Sequence, residues 1–382
     1  MPEYTYGRGT HEQFDAYVEF IDLVFGFNKE NGFPTFLPKL YRPELDPAYN
    51  SFNVMDGDKF VAAVGSFPLA MSVAGMELKG TGIGNVAVHP DHRSEGHMKK
   101  LMEMSIDDMV ARGMDYSSLG GQRQRYNYFS FDSCGPLYRY RIGPNNLRHF
   151  FPVGSAWKLT MQEVTAADGE ILDAIAALSD SQAFHPIRNR TELYPILCSW
   201  DARPYAFFEN GKFAGYCVLN KEKDFVSEIV TADTANLIEM VRCLAAENTV
   251  RLNIPAFRPD YCHVLEPYIE NVDINSGEMF SVFCFRRVVQ AFLTLKAGYA
   301  NLADGKLTVL VHGRGGDEQL AICVQNNQVT VTETDETPML ELTHLDAMRL
   351  FFAPVCSIRE SAPAVAGSWF PVPLCQYSAD AV

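Results

Sequence analysis

Long apolar runs are missing from this chain of 382 residues. Nothing in it approaches the ~20 apolar residues that span a bilayer. Met1–Phe20 lacks a basic stretch followed by an apolar one, so neither a membrane segment nor a secretory leader is expected. Basic residues are scarce, with 32 Lys and Arg against 47 Asp and Glu, for a net charge of −15. A nucleic-acid partner normally shows itself as a basic patch, so that class is set aside. The acidic balance favours a cationic substrate, although it serves solubility equally well. Paired cysteines are also missing: the nine are scattered without a Cys-x-x-Cys, and Cys198, Cys217, Cys284 and Cys323 sit in apolar runs. They read as small buried hydrophobes of a reducing compartment, and a soluble cytoplasmic protein is expected. No Gly-x-Ser-x-Gly elbow occurs, so a covalent acyl-enzyme of that type is not indicated.

What is present begins with Val86 to Met98. An apolar alternating run ends at His89-Pro90, and Arg93-Ser94-Glu95-Gly96 then opens an amphipathic helix. Met98, Leu101, Met102, Ser105, Ile106, Met109 and Val110 share one face of it, and Arg112-Gly113 ends it. Backbone N–H groups at a helix N-terminus are unpaired and carry partial positive charge, so the junction is a candidate pyrophosphate cradle. Gly96 lets the backbone come close to an anion, and Arg93 supplies a charged fork. The neighbouring His89, Asp91, His92, Glu95 and His97 are not read as a metal site. No distant His/Cys cluster completes four ligands, so no metal is expected.

This stretch resembles the acetyl-coenzyme A motif of the GNAT acyltransferases, an apolar strand followed by Arg/Gln-x-x-Gly-x-Gly/Ala. Met98 stands where the family usually has a small residue. The resemblance implies acetyl-CoA as co-substrate. Arg93, Ser94, Glu95, Gly96, His97 and Met98 would lie on the pyrophosphate, and the backbone of Val86, Ala87 and Val88 on the pantetheine arm. A bulge there would free a donor for the thioester oxygen, although the same valines suit an ordinary core strand. GNAT enzymes carry a tyrosine facing the sulfur in a Tyr-x-x-x-Gly-Phe segment. Tyr126 holds that spacing from Phe131, with Ser130 for the glycine and Tyr128 as the alternative. A phenol stays protonated at neutral pH and can return a proton to a thiolate.

Length alone favours two or three domains. The fold class expected is α/β (α+β). Residues 1–150 carry the helices and mixed strands of a GNAT domain. Residues 151–286 repeat the pattern in degenerate form, with an Asn210-Gly211 hairpin but with Thr231-Ala-Asp233 where the cradle should be. Residues 287–382 place helices against an antiparallel sheet, resembling a sterol-carrier-protein-like domain. This order is similar to the Eis-type (enhanced intracellular survival) branch of the family. That branch implies a trimer-based homo-oligomer and a polycationic acceptor such as an aminoglycoside, or a lysine side chain. It also implies that the chain's own terminal carboxylate, here Val382, is the base that takes the amine proton; a terminus merely packed on the sheet is the other reading. Phe25, Phe27, Phe33 and Phe36 fall where the family shapes its acceptor site, and aromatics can hold a cation over their faces. They equally suit the packing of an N-terminal helix hairpin. A non-catalytic acyl-CoA or lipid carrier is the alternative function.

Overall fold

The computed structural model of the chain describes residues 3–28, 30–152 and 154–382; Met1, Pro2, Lys29 and Val153 lie outside them. The first strands are β1 (Tyr4–Arg8), β2 (Ser51–Asp56), β3 (Lys59–Val73), β4 (Met76–Val88) and β5 (Tyr116–Leu119), side by side in that order. β3 and β4 are antiparallel, whereas β4 and β5 are parallel and joined by the helix His97–Ala111. That helix buries Leu101, Met102, Ile106 and Met109 against Val54, Val61, Ala62 and Val64. Each such side chain contributes about 1.5–3 kcal/mol by leaving water. The helix Phe14–Phe25 covers the opposite face, packing Tyr17, Phe20 and Ile21 on Phe60, Ala63, Phe67 and Ala87.

Two irregularities open this sheet. β4 pairs with β5 only from Gly80–Tyr116 to Ile83–Leu119, after which the strands part. On the other edge the register with β3 shifts between Ala63 and Gly65, so that Asn85 and Val86 face Val64 alone. This is a bulge with Asn85 at a φ of 48°, placed at the start of the expected Val86–Val88 stretch.

The chain continues through β6 (Asp132–Ser133), β7 (Pro136–Ile142), β8 (Thr160–Glu163), β9 (Phe184–Pro186), β10 (Ala202–Glu209), β11 (Lys212–Asn220), β12 (Phe225–Thr231), β13 (Val250–Pro255), β14 (Val272–Ser276) and β15 (Met279–Val282). The second sheet runs β14-β7-β13-β12-β11-β10-β8. β8 and β10–β13 repeat the order of β1–β5, including the parallel pair β12–β13 with a helix, Leu237–Leu244, between. The division at residues 150 and 286 expected from the sequence does not follow the sheets. β7 pairs with β13 and β14 in the second sheet, while β15 pairs with β5 and β6 in the first. The two units have exchanged their sixth strands, which ties them together by main-chain hydrogen bonds.

The last unit holds β16 (Gly305–Gly313), β17 (Gly316–Gln325), β18 (Gln328–Glu333) and β19 (Leu340–Thr343), in the order β18-β17-β16-β19. The sheet is mixed where an antiparallel one was expected, because β19 runs parallel to β16 after a crossover. Phe285, Phe292, Phe351, Phe352 and Trp369 fill its core. From Phe370 the chain runs back toward the first sheet. Gln376 Oε1 accepts from Ser118 Oγ at 2.7 Å, and Gly135 lies so close to Leu374 that a Cβ there would be 1.9 Å from its carbonyl oxygen.

Candidate active site

The loop after β4 ends at Gly96, which caps the helix His97–Ala111 with a φ of 84°. No side chain caps this terminus and its first turn carries no acid, so its N–H groups are available to an anion. Ser94, at a φ of 70°, turns the same loop. Beside them lies a groove of about 660 Å³. Val86 and Val88 line it from β4, and Arg93, Ser94, Gly96, His97 and Met98 from the loop and helix. Lys99 and Arg125 line it too, two cations that motif reading omitted. Ala87 and Glu95 are not brought to it. Ala87 packs among Tyr17, Phe20 and Phe60 on the opposite face, because neighbouring strand residues point to opposite sides. Glu95 Oε2 accepts from Tyr4 at 2.8 Å and stands 3.2 Å from His97 Nε2. The His97 ring is buried between Glu95 and Tyr6.

The equivalent junction of the second unit is closed. Asp233 Oδ1 accepts from Ala235 N at 2.9 Å, so the turn caps itself with its own carboxylate.

Val86 and Arg125 also line a second cavity of about 370 Å³ at the mouth of the β4–β5 split. Tyr126, Phe25, Phe27, Phe33, Phe36 and Val382 all line it, so the structure brings together three groups of residues far apart in sequence. The phenylalanines form a chain of edge contacts: Phe25 and Phe27 lie 5.2 and 5.1 Å from Phe33, and Phe36 lies 5.0 Å from Trp200. Tyr126 is 6% exposed, and burial pushes its hydroxyl pKa up against the pull of Arg125. Tyr128 is 57% exposed and lies under the Lys99 ammonium, away from the cavity. The Val88 N–H is directed into the split. His89 N–H donates to Val61 O on the β3 side, and successive strand N–H groups point to opposite edges.

Val382 reaches this cavity because its neighbours are held. Lys39 Nζ donates to Ala379 O at 2.5 Å and to Ala381 O at 2.6 Å, and Trp200 Nε1 donates to Ala381 O at 3.0 Å. Burial, with the Arg188 charge acting the same way against Asp380, lowers the Lys39 pKa to about 7. Arg188 bridges Asp380 and Glu228 with both carboxylates at 2.7 Å, and all three groups are buried. The Val382 carboxyl lies against Gly84, where a Cβ would be 3.0 Å from its carbon. Among the described residues no Lys, Arg or His nitrogen pairs with that carboxylate. Among the described residues no three His, Cys, Asp or Glu side chains gather as a metal site would require, and no helix is long and apolar enough to cross a membrane.

The fold, the split and the uncapped helix define an acyl-transferring class of protein. Residues 5–131 match the family model described as "Acetyltransferase (GNAT) domain", so that part of the chain is an enzyme domain of the GNAT acyltransferase type. Solved structures resemble it over its whole length. A GCN5-related N-acetyltransferase from Kribbella flavida is 16% identical with a TM-score of 0.70, over 100% of this chain and 98% of that one. One from Anabaena variabilis is 12% identical with a TM-score of 0.69, over 100% of both chains. Eis1 from Mycobacterium abscessus is 13% identical with a TM-score of 0.64, over 98% of both. At these identities the likeness is one of fold. No curated protein matches the sequence.

Proposed function

We propose that the chain transfers acetyl from acetyl-coenzyme A to a primary amine, of a small molecule or a lysine, by direct attack in a ternary complex. One observation carries this reading: Tyr126, Val382 and the four phenylalanines share a cavity that has Val86 and Arg125 in common with the groove at the helix N-terminus. Acetyl-CoA supplies the activated acetyl group. The uncapped N–H groups after Gly96, with Arg93, Lys99 and Arg125, hold its phosphates. The Val88 N–H receives the charge that develops on the thioester oxygen. The Val382 carboxylate takes the proton of the amine as its nitrogen bonds to the acetyl carbon. Tyr126 gives its proton to the sulfur as the C–S bond breaks.

The test replaces one charge and leaves the packing alone. Intact mass first fixes Val382 as the last residue of the enzyme, and ligation of an amidated C-terminal peptide then converts its carboxylate to a carboxamide. Amine-dependent CoA release should fall by about 10²-fold or more, the usual contribution of a general base, at unchanged acetyl-CoA affinity. Equal rates for the two proteins would remove Val382 from the mechanism. No release with any amine would end the acetyltransferase reading.

A further inference from the structure

We infer that the acceptor is a single primary amine carried on an apolar, arylalkyl-type body, and that the body occupies a cavity on the far side of Val382. This rests on the amine-acetylating reading above. The cavity measures about 360 Å³, a size suited to a small molecule, and Val382 lines both it and the Tyr126 cavity. Leu40, Leu69, Met71, Phe184, Ile187 and Ile196 supply its apolar walls, drawn from the first and second units.

The charged groups at its margin are already matched. Arg188 holds Asp380 and Glu228, Glu192 is paired with Arg42, and Lys39 is spent on two carbonyls of the tail. Of the carboxylates lining this cavity, only that of Val382 has no cation beside it among the described residues. A polycation would therefore find one anionic contact. Its further ammonium groups would lose water beside Arg188 and Lys39, with no partner in return. A monoamine uses the one free carboxylate and gains by burying the rest of itself. The polycationic acceptor implied by resemblance and by the net charge thus has no second point of attachment here. Gln376 also lines the cavity, and its Nε2 is buried without a hydrogen-bond partner among the described residues. An oxygen on the acceptor's body, such as a phenol, would satisfy that donor.

The experiment measures kcat/KM for CoA release by the full chain with 2-phenylethylamine, tyramine and hexylamine against spermidine and kanamycin. The arylalkylamines should exceed the polycations by about tenfold or more, the discrimination that even small apolar groups confer in a fitted pocket. Ile187→Asp places a free carboxylate at the 45% exposed rim, where folding tolerates it. It should lower the arylalkylamine values and raise that for spermidine. Spermidine or kanamycin outperforming the arylalkylamines with the native chain would overturn the inference and leave the acetyltransferase reading standing. An unchanged ranking in Ile187→Asp would also overturn it. Bound acetyl-CoA with no release to any amine would sink both.

Discussion

Gly84→Ala presses a single methyl group against the end of the chain. Gly84 lies in β4 outside the left-handed region, so alanine suits its backbone. The new Cβ would stand 3.0 Å from the Val382 carboxyl carbon and 3.5 Å from its Cβ. Carbon atoms rest at about 3.5–4.0 Å, so one partner must yield by roughly half an ångström or more. β4 is held by β3 at Gly84, which pairs with Gly65, whereas Val382 lies one residue past the hydrogen bonds to Ala381 O. The carboxylate is therefore what moves. A reacting group misplaced by 1 Å costs about 10²-fold, so half that displacement should lower kcat by about tenfold. The cradle at Arg93–Lys99 is untouched and KM for acetyl-CoA should not change. Overpacking at a yielding terminus should cost about 1 kcal/mol of stability. Steady-state CoA release with both substrates varied separates the cases. A raised amine KM at full kcat would mean that the methyl group merely narrows the cavity. Full kcat and unchanged KM values would refute the placement of the base at Val382.

Three further outcomes follow, two at the tyrosines and one at a buried histidine. Tyr126→Phe should lower kcat by about 10²-fold with little change in acetyl-CoA KM, while Tyr128→Phe, outside the cavity, should stay within about twofold. Since burial raises the Tyr126 pKa above its ordinary value, the native pH–rate profile should show no loss of that acid below about pH 10. His344 is buried between Ser281 Oγ and Arg314 N, and burial, helped by the Arg314 charge, lowers its pKa to about 3. The unfolded chain takes up that proton near its ordinary value and the folded chain does not. Stability from this group is therefore complete above about pH 6.5 and is lost as pH falls toward 3. Urea midpoints should register on the order of 3 kcal/mol of loss between pH 7 and pH 4, and His344→Gln should show a shallower fall over that range.

Periodicity made the cradle helix legible, because its buried residues recur every three or four positions and Gly113 stops it. The Asn210-Gly211 hairpin was legible for a similar reason, because that pair marks a turn that the strands on either side require. β1 was missed, since Tyr4–Arg8 is short and its pattern shows no clean alternation. The exchange of β7 and β15 was out of reach, because local pattern says which segment is a strand and not which sheet receives it. The aromatic run from Phe25 to Phe36 announced a packed or lined surface without choosing between them. Part of each is found, with Phe33 buried and Phe25 46% exposed at the cavity. The clamp on the tail had one signal that went unused. Asp380 is a lone acid in an apolar ending, and a buried acid needs a cation; its partner Arg188 lies 192 residues away in a stretch that reads as loop.

That clamp explains why three units serve one site. Arg188 follows β9, which pairs with β3 of the first sheet; Glu228 belongs to β12 of the second; Asp380 belongs to the tail that leaves the third. Burial opposes the Arg188 charge, but the fields and hydrogen bonds of Asp380 and Glu228 outweigh it and hold the guanidinium well above its ordinary pKa. Arg188→Met would leave two buried carboxylates facing each other, a defect of about 3–5 kcal/mol if nothing moved. Glu228 cannot leave, being fully buried in a central strand with Tyr216 Oη donating to it at 2.5 Å. Asp380 can, because it sits in the short turn Ser378–Asp380 outside any strand, and leaving would carry Val382 out of the cavity. The variant should therefore lose kcat more than it loses thermal stability. Arg188→Met with Asp380→Asn removes the reason for the tail to leave and should recover a large part of the rate. A single variant that unfolds at a much lower temperature but keeps its kcat while folded would show the triad to be only structural.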